Sequence, residues 1–269
     1  MSFKPVEELT FADDFMFTKV MKNKSICKGL LERLLGIKIS KIEYPEIQKN
    51  LTPFYEAKGI RLDVYVDDGN RVFDIEIQTY IPESIGKRLR YYQSILDMDC
   101  LQRGAVYTEL KESYIIFICT FDPFGFSIPV YTFKNTCQEK NDFTLKDNST
   151  KIIFNALDYQ KENNLEIKSI LEYLINRNST NDFTDKINQQ VEKLKYDERF
   201  KGEYMMVNLH EWELSERAKK QGWEEGKKEG AEQTKIETAK NLLKEGLSVE
   251  QIARCTNLSL EKIQELAKV

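Results

Sequence analysis

The residues best placed to do chemistry together lie in one short stretch, residues 59–78, which reads GIRLDVYVDDGNRVFDIEIQ. Asp67-Asp68-Gly69-Asn70 is a turn signal between two runs of alternating apolar and polar residues, so the stretch predicts a β-hairpin. Side chains alternate along a strand. In the first run Leu62, Val64 and Val66 share one face and Arg61, Asp63 and Tyr65 the other. In the second, Phe73, Ile75 and Ile77 share one face, opposite Asp74, Glu76 and Gln78. Pairing the apolar faces sets Asp63 opposite Glu76 or Asp74, and no more than one diagonal step from Glu76. Two ionised carboxylates about 5 Å apart repel by roughly 3 kcal/mol at an effective dielectric near 20. On a solvated hairpin face such a pair relaxes into water, whereas in a cleft it needs a proton or a cation. Carboxylate oxygens and water are what Mg²⁺ prefers. Spacing alone fits both situations.

Other catalytic chemistries are poorly supplied. The single histidine, His210, sits in a charged late segment, which argues against Ser-His-Asp and Cys-His systems and against a histidine-bearing zinc site. The five cysteines are scattered, with no CxxC pair, and read as small apolar residues of a reducing compartment. A net charge of −4 excludes bulk electrostatic wrapping of nucleic acid; any such role needs a local basic groove or a bound divalent cation.

The elements that must position these acids follow from periodicity. Apolar residues from Phe15 to Leu35 predict a helix over 11–35, ended by Gly36. Strands are expected at 42–47, 60–66 and 72–78, a helix at 84–101, strands at 114–121, 129–133 and 151–157, and helices across 165–195. On the helix after the hairpin, Leu89, Tyr92 and Leu96 fit a core face while Arg88 and Tyr91 share another. Composition shifts near Met205, after which there is no Asp or Pro, and 11 Lys or Arg stand against 12 Glu. A boundary between 1–204 and 205–269 is expected. Gly222, Gly226 and Gly230 fit either a helix stripe or a flexible stretch. The end of the chain, with caps at Ser248 and Ser259, predicts a small helix-turn-helix-like bundle. Its last helix is too evenly charged for groove reading, which favours contact with protein. With 269 residues, 41% hydrophobic and 31% charged, and no run long enough to span a bilayer, the chain reads as a cytoplasmic protein without a membrane segment.

The arrangement Asp63…Glu76-Ile77-Gln78 resembles the PD-(D/E)XK nuclease signature, with glutamine in the lysine position. More narrowly, GIRLDVYVDDGNRVFDIEIQ followed by KRLRYYQSILDMDCLQRGAVYTELKESYIIFICTFDPF resembles the Rpn family of recombination-promoting nucleases, also described as transposases, over residues 11–159. The resemblance implies an α/β restriction-endonuclease-like core, a mixed central sheet flanked by helices, with a C-terminal all-helical extension. It implies a Mg²⁺-dependent DNA endonuclease of little sequence specificity, in recombination, transposition or defence against foreign DNA, with Mn²⁺ able to substitute. Asp63 and Glu76 would ligate the metal, the Ile77 carbonyl would complete the shell, and Gln78 would orient water. Arg88 and Tyr91 would contact DNA, and Glu32 would supply a further first-helix acid; a solvated arginine, a packed tyrosine and a surface glutamate are the plainer alternatives. A non-catalytic regulatory or assembly protein that keeps the nuclease fold is the competing reading, and a DDE-type transposase is weaker still. The tail suggests a homo-oligomer, and Met205 or Met206 an internal start for a small C-terminal product.

Overall fold

The computed structural model describes residues 3–39, 42, 46–51, 60–101 and 104–267. The first helical run is two helices rather than the single one expected, α1 (Asp14–Met21) and α2 (Lys24–Leu35). The break falls at Asn23, whose side-chain oxygen accepts from the N–H groups of Ser25 and Ile26. Those donors would otherwise be open in the first turn of α2, so the cap outweighs continuing the helix through Asn23. Gly36, at φ 65°, ends α2 in the left-handed conformation that glycine adopts without strain.

Among the described residues six strands follow: β1 (Glu46–Leu51), β2 (Ile60–Asp67), β3 (Arg71–Gln78), β4 (Glu112–Cys119), β5 (Val130–Phe133) and β6 (Ser149–Asn155). Of the strand expected over 42–47, Glu46 and Ile47 belong to β1, Ile42 is not in a strand, and residues 43–45 lie outside the described residues. The strands form one mixed sheet in the order β1-β2-β3-β4-β6-β5. β3 pairs with β4 and β4 with β6 in parallel, while the other pairings are antiparallel. The parallel centre explains why Ile115 to Cys119 form an unbroken apolar run: all five are buried.

Helices cover both faces. α3 (Ile85–Cys100) lies on one face, over Leu62, Tyr65, Val72, Ile115 and Phe117. On the other, α1, α2, α4 (Leu165–Asn176) and α5 (Asp182–Lys195) enclose the larger core around Val64, Val66, Phe73, Ile75 and Ile116. These memberships correct one expectation. Strict alternation grouped Leu62 with Val64 and Val66, yet Leu62 shares the α3 face with Tyr65. Leu62 and Tyr65 differ in parity, so alternation along β2 breaks between them. The adjoining strand breaks at the same level. Ile47↔Val64 and Lys49↔Leu62 pair, and Gln48 between them adopts a left-handed φ of 55°. That backbone kink faces Asp63.

The chain divides into two compact units, Met1–Tyr204 and Met205–Val269. α6 (Glu198–Lys244) begins in the first and runs on into the second, helical through Gly222, Gly226 and Gly230. In the second unit the end of α6, α7 (Val249–Thr256) and α8 (Leu260–Leu266) pack around Ala239, Ile252, Leu258 and Ile263. Ser248 and Ser259 cap the two short helices through Gln251 and Lys262 N–H. Among the described residues no helix is long and apolar enough to cross a membrane.

Candidate active site

The site forms where the β2–β3 ladder gives out. Backbone partners run from Asp67↔Val72 to Val64↔Ile75. One step further, the same register sets Asp63 opposite Glu76. Here side chains take over from the backbone: the Asp63 N–H donates to Glu76 Oε1 at 2.9 Å, and the Ile77 N–H donates to Asp63 Oδ2 at 3.2 Å. Buried N–H groups require acceptors. Each strand therefore orients the carboxylate of the other, and the two acids are held at one point by their own backbones.

Further charged groups converge there. Asp74 and Glu76 are each 1% exposed, and both oxygens of Asp74 lack a hydrogen-bond partner among the described residues. From α1, the half-exposed Asp14 reaches the same cleft, with Arg61 Nη2 3.6 Å from its Oδ2. From α3, Arg88 donates through Nη1 to Gln78 Oε1 at 3.1 Å and lies 3.5 Å from Glu76 Oε2. Its Nη2 also donates to the Tyr92 hydroxyl at 2.8 Å, and its guanidinium carbon sits 5.5 Å from the centre of the Phe117 ring. The resulting cleft, about 190 Å³, is lined by Asp14, Arg61, Asp63, Glu76, Gln78 and Arg88, together with Ile77, Thr79 and Tyr80.

The electrostatics are those of crowded acids in a low-dielectric wall. Burial, then the neighbouring Asp14, pushes the Asp63 carboxyl up to about 7, against the opposing Ile77 N–H and the cations Arg61 and Arg88. Burial, then Asp74 and Asp63, holds Glu76 well above the usual carboxylate range, which Arg88 does not offset. Asp74 is raised likewise, by burial and then Asp63, and Asp14 is raised by burial against the pull of Arg61.

The structure brings Asp63, Glu76, Ile77, Gln78 and Arg88 together and leaves two expected residues out. Glu32 lies elsewhere on α2, where it accepts the Ile39 N–H at 2.9 Å and faces Lys28 at 3.9 Å. Its place as the first-helix acid in the cleft is taken by Asp14. Tyr91 is exposed on α3 and does not line the cleft. Tyr92 meets Arg88 instead, because residues four apart on a helix stack on one face. The alternation set Arg61 on the face of Asp63 without giving it a role, and Asp14 was not among the expected site residues; the acidic pair Asp13-Asp14 at the start of the first helical run was the signal for it. Among the described residues no three acidic, histidine or cysteine side chains converge closely enough to enclose an ion by themselves. An all-oxygen set of one or two carboxylates with carbonyl, water and phosphate oxygens is nevertheless the usual environment of Mg²⁺.

A mixed sheet flanked by helices, with an acid from each of two antiparallel strands meeting beneath a cationic helix, defines a PD-(D/E)XK nuclease core. The profile of the PD-(D/E)XK nuclease family transposases matches residues 11–239, and the chain belongs to that family. Neither the curated proteins nor the solved structures contain a match to it.

Proposed function

We propose that the chain is a divalent-metal-dependent DNA endonuclease that hydrolyses phosphodiester bonds with little sequence preference. The convergence of Asp63 and Glu76 carries this reading: two buried carboxylates, each fixed by the other's strand, in a cleft open to solvent. The raised proton affinity of Asp14, Asp63, Asp74 and Glu76 fits the same account, since a cation relieves what burial and mutual repulsion impose.

Asp63, Glu76 and the Ile77 carbonyl would hold Mg²⁺, or Mn²⁺ in its place, with Asp14 as the further acid at the open side. Bound there, such an ion lowers the pKa of a water and neutralises charge on the scissile phosphate. The remaining work falls to the chain's own groups. Gln78 is a neutral amide that orients water through its side chain but cannot meet developing negative charge as an ammonium does. Arg88, hydrogen-bonded to Gln78 and stacked near Phe117, supplies the positive charge from the adjacent helix. Arg88 lines the cleft, where its charge would meet a phosphate.

Supercoiled plasmid tests the proposal. Purified chain with Mg²⁺ should nick it, EDTA should abolish nicking, and Asp63→Ala and Glu76→Ala should each remove at least about 10²-fold of the rate. Equal nicking by wild type and both variants would refute the assignment.

A further inference from the structure

A second feature of the first unit lies on its helical face. Three adjoining depressions, of about 410, 270 and 290 Å³, share their walls: Asn23 and Gln190 belong to the first and second, Ser25, Ile26 and Lys186 to the second and third. Together they form one groove along the N-terminus of α2, the length of α5 and the first turns of α6. Seven cations line it (Lys19, Lys22, Lys28, Arg33, Lys186, Lys193 and Arg199) against three acids (Glu32, Asp197 and Glu203), in a chain whose net charge is −4.

The acids are already engaged. Glu203 pairs with Lys19 and Arg199, Glu32 faces Lys28, and Asp197 Oδ1 caps α6 by accepting from Arg199 and Phe200 N–H. Lys22, Lys186 and Lys193 are exposed and have no ion-pair partner among the described residues. Burial, then Lys19, lowers the proton affinity of Lys22, against the opposing pull of Glu203. Between the three lysines lie neutral hydrogen-bonding groups, Asn23, Ser25, Gln189 and Gln190.

This pattern selects a class of ligand. The charge repeats along an open trough instead of closing around one point, which suits a polyanion better than a single phosphate. Lys186 and Lys193 stand two helical turns apart, about 10 Å along α5, close to three base-pair steps of about 3.4 Å along a DNA strand. The aromatic residues of the groove, Phe183 and Phe200, are buried, so the groove exposes no ring on which an unpaired base could stack. Duplex backbone is therefore favoured over single strands. α1 joins groove and cleft: Asp14 starts the helix in the cleft, while Lys19 and Lys22 at its other end open the groove, about 12 Å away by the length of eight residues.

We infer that this groove is a second contact for duplex DNA, in which Lys22, Lys186 and Lys193 bind phosphates independently of the catalytic cleft. The nuclease reading supplies the identity of the polyanion; the positive groove itself does not depend on it.

Fluorescence anisotropy with a labelled duplex of random sequence, in EDTA so that no cleavage intrudes, tests the inference on the full-length chain. Lys22→Glu/Lys186→Glu/Lys193→Glu is compared with Lys134→Glu/Lys140→Glu/Lys146→Glu, three exposed lysines on another surface. Both variants shift net charge by −6, from −4 to −10, so only the position of the charge differs. The groove variant should bind at least about tenfold more weakly near 0.1 M salt. Its log K against log salt slope should fall in magnitude by about 2.7, which is 0.9 for each of three phosphates no longer neutralised. The control should keep the wild-type slope, and melting curves confirm that both variants are folded. Equal slopes for the two variants, or no binding by wild type, would overturn the groove. Plasmid nicking is scored separately: a chain that binds through the groove yet never nicks upholds the groove and removes the nuclease reading, and the reverse pattern does the opposite.

Discussion

At Asp63 the crowding of acids becomes measurable as a dependence of stability on pH. Burial and Asp14 raise its carboxyl to about 7 in the folded chain, against about 3.9 when unfolded. The folded state therefore binds this proton more tightly, and the stability it contributes is present at low pH and lost as pH rises from about 4 through about 7. The shift corresponds to about 4 kcal/mol at most, and neighbouring acids that reprotonate in turn reduce it. Thermal melts in EDTA should show wild type losing more stability than Asp63→Asn between pH 5 and 8; parallel curves would contradict the shift. Mn²⁺ at pH 8 should raise the wild-type Tm and leave Asp63→Asn nearly unmoved. Arg88 offers a second test at the same scale. It is the cation against both Gln78 Oε1 and Glu76 Oε2. Arg88→Ala should lower nicking by about 10²-fold and Arg88→Lys by less, because lysine restores the charge without the planar fork. Unchanged rates in both variants would move the catalytic cation elsewhere.

Between residue and molecule, caps and kinks decide which acids meet. Asn23 separates α1 from α2 and thereby frees α1 to bring Asp14 to the sheet. Asn23→Ala should destabilise the fold by about 1 kcal/mol, the usual cost of a missing N-cap, as chemical denaturation would read it. No change in stability would mean that packing alone sets the break. The same residues explain what could be read from the sequence. The alternation of β3 was legible because both of its faces keep one partner layer throughout, so Phe73, Ile75 and Ile77 went to one side and Asp74, Glu76 and Gln78 to the other. The face of Leu62 was not, because it depends on a backbone kink at Gln48 in the neighbouring strand. Asp14 was hidden for a related reason: its approach requires the helix break at Asn23 and the packing of α1 on β2, neither of which leaves a periodic trace. Glu32 looked equivalent by element and charge, yet its carboxylate is spent on the Ile39 N–H. The basic groove draws on residues from Lys19 to Arg199, a separation over which no local pattern exists.

For the whole chain, the sheet, the acids and the groove all fall within Met1–Tyr204, while the second unit has its own small core around Ala239, Ile252, Leu258 and Ile263. The boundary is nonetheless a continuous helix, so where a truncation falls within α6 decides the outcome. Phe200 and Tyr204, on its first turns, pack at a tilt against Phe15 with ring centres 5.2 and 5.3 Å apart, and the Tyr204 hydroxyl donates to the Lys4 carbonyl at 2.9 Å. Both aromatics are buried, Phe200 at 3% exposure and Tyr204 at 9%. A chain ending at Tyr204 should therefore melt within a few degrees of the full-length protein and keep its response to Mn²⁺. A chain ending at Asp197 lacks both rings, at about 3–5 kcal/mol for a buried aromatic deleted from a core. With about 2–4 °C of Tm per kcal/mol for a unit of this size, its Tm should fall by at least about 10 °C. Light scattering on the Tyr204 truncation also tests whether the helical tail holds copies of the chain together, as a drop in mass relative to full length. If both truncations melt alike, the aromatic packing on Phe15 contributes little to the stability of the first unit.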